Sequence, residues 1–175
     1  MNFKEYTSLF DRDDLQYPED KLQFIPLNKS RMNRWLKTGK IDNETLNSIN
    51  SISEPQNWIV ISEPWCGDAA HSLPFIYMLS ELNPNIHLEI QLRDSNSEID
   101  NYLTDGNRSI PKLIIRDSHQ NDLFTWGARP AICENFRKQL KEQGMDADEI
   151  KIKTQQWYNE DKGQSLIQEI LKGIN

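Results

Sequence analysis

The sequence predicts an α/β fold built on a mixed four-stranded sheet, and three observations predict it. The β-branched apolar run Trp58-Ile59-Val60-Ile61 has strand length, and a helical pattern follows it, with Leu73, Ile76, Tyr77, Leu79 and Leu82 recurring at steps of three and four. His87-Leu88-Glu89-Ile90-Gln91-Leu92 alternates and reads as a second strand. Lys112 to Arg116 and Asp122 to Trp126 read as two more, joined by the polar turn Asp117-Ser118-His119-Gln120-Asn121. A strand–helix–strand crossover is right-handed and gives a parallel pair. The hairpin adds antiparallel strands, with helices on both faces.

Taken in order, residues 1–27 mix charge with the scattered aromatics Phe3, Tyr6, Phe10, Tyr17 and Phe24. Pro18 and Pro26 break any long helix there, so a short helix and an irregular segment are expected. Asn28 to Leu36 carries helix formers, with Asn28 or Ser30 as cap, and Asp42 caps a second helix through Ile49. Residues 1–56 thus form a helical N-terminal extension, whose expected role is to cover an edge or face of the sheet. Residues 57–144 form the core. Its first helix, from about Cys66 to Leu82, should kink at Pro74, which lacks an N–H. A short helix is expected over Ser97 to Leu103, and another from Pro130, at home in a first turn, to about Gln143. Residues 145–175 are helical and charged, with Trp157, Leu166, Ile167 and Ile170 as buried contacts. The whole reads as a single domain.

The chain has 175 residues, enough for one domain with a real core. Its formal charge of −7 argues against a nucleic-acid partner, which needs a basic surface. No apolar run reaches the roughly 20 residues that span a bilayer, and Met1-Asn2-Phe3-Lys4-Glu5 does not open a signal peptide. No membrane partner and a cytoplasmic location are the expectations. Oligomeric state is not legible. Two cysteines, Cys66 and Cys133, cannot build a disulfide framework.

The chemistry concentrates at Trp65-Cys66-Gly67-Asp68-Ala69-Ala70-His71-Ser72-Leu73-Pro74. A cysteine between strand and helix sits near the first helical N–H groups, which favour a thiolate. Asp68, two residues on, opposes this by like-charge repulsion. The expected outcome is a moderately depressed pKa, with Cys66 partly ionised at neutral pH. Ala69 offers no second thiol, so any mixed disulfide at Cys66 persists until another thiol arrives. Cys133 reads as a small buried hydrophobe rather than a resolving thiol. His71 lies about 140° round the helix from Cys66 and does not face it, and His87 and His119 read as surface residues. The histidine spacing fits no zinc pattern, and no nucleotide fingerprint is present; neither metal nor cofactor is implied.

Three motifs in order carry a resemblance to a known family. Trp65-Cys66-Gly67 after a strand, with Pro74 eight residues past the cysteine, resembles the thioredoxin active-site turn. Ile110-Pro111 before Leu113-Ile114-Ile115 is similar to that superfamily's cis-proline step. Gly127 is similar to the glycine closing its last core strand. The departures are Ala69 in place of the second cysteine and Asp68 in place of the usual proline. With Leu92-Arg93-Asp94, Arg108-Ser109-Ile110-Pro111 and Trp126-Gly127-Ala128-Arg129-Pro130, the pattern is similar to a bacterial thioredoxin-like group with a monothiol Trp-Cys-Gly-Asp-Ala site. The resemblance implies the sheet arrangement of a thioredoxin-like fold. It also implies a cis bond at Pro111, which residues alone leave open because most X-Pro bonds are trans.

Two functions follow. One is monothiol thiol–disulfide exchange through Cys66, acting on a low-molecular-weight thiol or a protein cysteine. The other is a redox-inactive module that binds peptides in the cis-proline groove. In either, Ile110 would pair an extended substrate beside Pro111, Gly67 and Asp68 would border the sulfur, and Trp65 and Trp126 would offer an apolar platform. Arg108 and Arg129 would attract a carboxylate-bearing thiol, or else form structural ion pairs.

Overall fold

A computed structural model describes residues 1–174. Short α1 (Phe3–Ser8) and α2 (Glu19–Leu22) precede the longer α3 (Ile25–Thr38) and α4 (Asn43–Asn50). The centre follows as β1 (Gln56–Ser62), α5 (Gly67–Ser80), β2 (Ile86–Leu92), β3 (Lys112–Arg116), β4 (Asp122–Trp126) and α6 (Ala131–Glu142). The chain finishes in α7 (Ala147–Asp161) and α8 (Gln164–Ile174).

The four strands form one mixed sheet in the order β2-β1-β3-β4. β1 runs parallel to β2, Trp58 opposite Leu88, and antiparallel to β3, Trp58 opposite Ile115. β4 closes the hairpin antiparallel to β3. Helices from both ends of the chain flank the sheet, the thioredoxin-like α/β arrangement.

Side chains alternate across the sheet, so β1 feeds two apolar layers. Trp58 and Val60 join Tyr6, Trp35, Ile49, Leu73, Ile76 and Ile170 in the larger one. Ile59 and Ile61 join Ile99, Ile110, Ile114, Ala69 and the Cys66 side chain in the smaller one. The extension therefore lies over the face of the sheet, and it also meets an edge. Ile90 of edge strand β2 donates its N–H to the Met1 carbonyl (2.8 Å), and the Met1 amino group donates to the Ile90 carbonyl (2.9 Å). Such pairing protects an otherwise open edge.

Several local expectations are corrected. Pro26 opens α3 rather than breaking it, because a first-turn residue has no helical acceptor for its N–H anyway. Asn28 is not a cap but a buried residue inside that helix, and its Nδ2 donates to the Pro64 carbonyl at 3.0 Å. α5 holds Pro74 inside it, and it is buried on almost every side because α3 packs along it. The helix expected over Ser97 to Leu103 shortens to a single 3-10 turn, Ile99–Asn101. In α7 the deeply buried aromatic is Tyr158, while Trp157 is half-buried. Asp42 does cap α4, accepting from the Thr45 N–H at 2.7 Å.

Candidate functional site

Cys66 is the N-cap of α5, at the end of the turn that leaves β1. Its Sγ faces the Ile110 carbonyl and donates to it at 3.4 Å. The Ile110–Pro111 peptide bond is cis. Asn28 holds the turn from below through Pro64, so the extension helps to position the sulfur.

The electrostatics differ from the expectation of a partly ionised thiol. Burial, and then the charge of Asp68, push the Cys66 thiol up to about 12. The N–H groups of Asp68 and Ala69 and the Arg129 charge pull the other way and do not prevail. Helix position is visible in sequence, but burial is not: only 7% of Cys66 is exposed. Removing a thiolate from water costs more than two amides return. Cys133, fully buried at the start of α6, is likewise pushed up to about 12, and both thiols are free.

Two cavities meet at the sulfur. One, of about 380 Å³, lies on the cis-proline side and is lined by Trp65, Cys66, Arg93, Arg108, Ile110 and Arg129, among others. The other, of about 410 Å³, lies between the extension and α7. Most expected site residues are thus brought together: Trp65, Cys66, Asp68 and Arg129 line both cavities, Gly67 the second, Ile110 and Arg108 the first.

Several of them do something other than expected. Lys21 Nζ lies 4.1 Å and the Arg93 guanidinium 4.7 Å from the Trp65 ring centroid, so cations cover this ring. Trp126 is not at the site. It is buried in the larger core, and its Nε1 donates to Glu169 Oε2 at 2.6 Å. Asp68 is held by Arg129 (2.7 Å) and by the Tyr158 hydroxyl (3.0 Å). Arg129 also pairs with Glu134, and Arg108 with Asp100. Pro111 is buried, and its carbonyl oxygen would stand 2.1 Å from a Cβ at Gly127.

His71 locks three helices together. Trp35 Nε1 of α3 donates to its Nδ1 (2.9 Å), so its Nε2 carries the proton and donates to Gln155 Oε1 of α7 (2.7 Å). Its ring stacks on Tyr158 with centroids 4.6 Å apart. Burial holds its pKa down at about 4.

Residues 16–141 match the family model described as thioredoxin. The chain belongs to the thioredoxin family. Membership is consistent with a redox module of the oxidoreductase type. A solved protein of unknown function from Pseudomonas aeruginosa is similar at 16% identity and TM-score 0.65, over 99% of this chain and 90% of that one. A crystallised HIV epitope scaffold is similar at 19% identity and TM-score 0.61, over 97% and 96%. At these identities both likenesses concern the fold. No curated protein matches the sequence. Among the described residues no helix is long and apolar enough to cross a membrane.

Sequence reasoning missed Asn28, Arg31, Arg137 and Gln155 around the site. They come from helices that lie outside the recognisable motifs, and the tertiary packing alone brings them to Gly67 and Cys66.

Proposed function

We propose that this chain is a cytoplasmic monothiol thiol–disulfide exchange protein acting through Cys66, with Trp65-Cys66-Gly67-Asp68-Ala69 as its signature. The observation that carries the reading is the sulfur's position: at the N-cap of α5, opposite the Ile110 carbonyl, where two cavities converge. In exchange, the Cys66 sulfur attacks one sulfur of a substrate disulfide, a new S–S bond forms, and the other substrate sulfur leaves as a thiolate. Ala69 supplies no resolving thiol, so an external thiol completes the cycle.

At rest the reaction is slow. A thiol pushed this far up by burial is almost wholly protonated at neutral pH. An extended substrate that pairs with Ile110 as an added strand competes for the carbonyl that now accepts the S–H, and so favours ionisation on binding. Asp68, Arg108 and Arg129 border that substrate, beside the buried Pro111.

The buried, protonated thiol also favours a second reading, a module that binds peptides in the cis-proline groove without turnover. Two measurements separate them. Alkylation of Cys66 in the free protein should show an apparent pKa far above the ordinary 8.5 of a free thiol; exchange further requires that saturating peptide substrate lower it. Wild type should also release glutathione from a glutathionylated peptide faster than Cys66→Ser. Equal rates would end the exchange reading and leave the binding module.

A further inference from the structure

The cavity between the extension and α7 carries an excess of positive charge. Lys21, Arg31, Arg129, Arg137 and Lys151 line it against the two acids Asp20 and Asp68, in a chain whose formal charge is −7. Three of the cations are already paired. Arg129 lies on Asp68 (2.7 Å), Lys151 on Asp148 (2.8 Å) and Lys21 reaches Asp94 at 3.9 Å. The other two are not. Arg31 donates to the Asn28 amide oxygen at 2.9 Å, and Arg137 to the Thr154 hydroxyl at 2.6 Å. Among the described residues no carboxylate lies in ion-pair contact with either guanidinium.

Both line the cavity that Cys66 lines. Arg31 Nη1 comes within 3.5 Å of where a Cβ on Gly67 would be, one residue from Cys66. Arg31 is half-buried; burial and then the Arg34 charge lower its pKa, and Asp68, which is not in ion-pair contact with it, opposes them, so its charge sits where it lacks full hydration. The wall shared with the cis-proline cavity holds two more donors without acceptors, Trp65 Nε1 and Arg129 Nε. A half-open cavity of about 410 Å³ is within the usual range for small ligands, roughly 300–1,000 Å³. Guanidinium groups with free donors match carboxylate oxygens in geometry as well as charge.

We infer that this cavity is the anion-recognition pocket for a small, carboxylate-bearing thiol delivered to Cys66 as its disulfide, with Arg31 and Arg137 as the binding residues. The inference rests on the exchange reading and names its substrate class. Cys66 attacks the near sulfur of the bound disulfide. The Cys66–S bond forms, the substrate S–S bond breaks, the second half leaves as a thiolate and the Cys66 proton passes to solvent. The half retained on Cys66 keeps its carboxylates against the two arginines, on the side of the sulfur away from the peptide groove.

The test compares mixed-disulfide formation at Cys66 by intact mass, using glutathione disulfide (anionic), hydroxyethyl disulfide (neutral) and cystamine (cationic). Wild type should prefer the anionic over the neutral disulfide by roughly tenfold or more, a preference that fades with salt. In Arg31→Gln with Arg137→Gln the anionic-to-neutral ratio should fall about tenfold. An unchanged ratio overturns the inference. S-Methylglutathione, which cannot exchange, separates this outcome from failure of the exchange reading. If no disulfide reacts yet this thioether binds saturably to wild type and not to the double variant, the pocket stands and the exchange reading falls. If it fails to bind wild type at millimolar concentration, the pocket is overturned.

Discussion

Gly127 is the residue with the least freedom. Its φ of +121° is one that side-chain-bearing residues rarely adopt, and a Cβ there would lie 2.1 Å from the Pro111 carbonyl oxygen. Backbone cannot yield as a flexible side chain can, so strain and overlap add. Gly127→Ala is expected to cost more than about 2 kcal/mol in urea unfolding, whereas Gly106→Ala, with nothing within 4 Å, should cost less. Equal losses would show that overlap with Pro111 is not what restricts position 127. Gly67 is different: its Cβ would meet only ordinary contacts at 3.5–3.9 Å. The glycine beside the sulfur is thus not required by crowding. Its openness leaves the cavity floor beside Arg31 clear.

At the scale of elements, the decisive contact joins α3, α5 and α7 through His71. A proton can be added only at Nδ1, where the Trp35 N–H already points, so charging the ring breaks the lock. The folded pKa of about 4 lies below the ordinary 6.5. Between these values the unfolded chain binds the extra proton and the folded chain does not. The stability due to neutral His71 is therefore complete above pH 6.5 and is lost as pH falls towards 4, by about 3 kcal/mol in all. Buried Glu63 works in the opposite direction, since burial raises its pKa and favours the folded state at lower pH. Urea titrations at several pH values on wild type and His71→Gln isolate the histidine: the variant should show a shallower fall between pH 6.5 and 4, with carboxylates held low in the fold, such as Asp42, Asp94, Glu98 and Asp122, supplying the rest. An identical slope in both would mean that His71 is not the titrating group. α7 also brings Tyr158 to Asp68 and Gln155 to His71, so a helix outside the sheet region shapes the site.

At the scale of the whole molecule, the extension is not an appendage. Tyr6, Leu9, Phe10, Ile25, Met32, Trp35 and Ile49 belong to the same apolar layer as β1, α5 and α8. Removing residues 1–55 would uncover that layer and free the β2 edge now paired with Met1. We expect the full chain to unfold in one cooperative transition and the truncated chain to show none by circular dichroism; a cooperative transition in the truncated chain would make the extension a separable attachment. The strands, almost to the residue, the Asp42 cap and the start of α5 at Cys66 were legible in the amino-acid order alone. All of these depend on local periodicity or near neighbours in the chain. The packed fold alone set the state of the thiol, the burial of Trp126, and the placing of Arg31 and Arg137 around the cavity that Cys66 lines. Desolvation and charge depend on what packs around a group, and those neighbours come from helices distant in sequence, whose own pattern says which face is apolar but not what that face will cover.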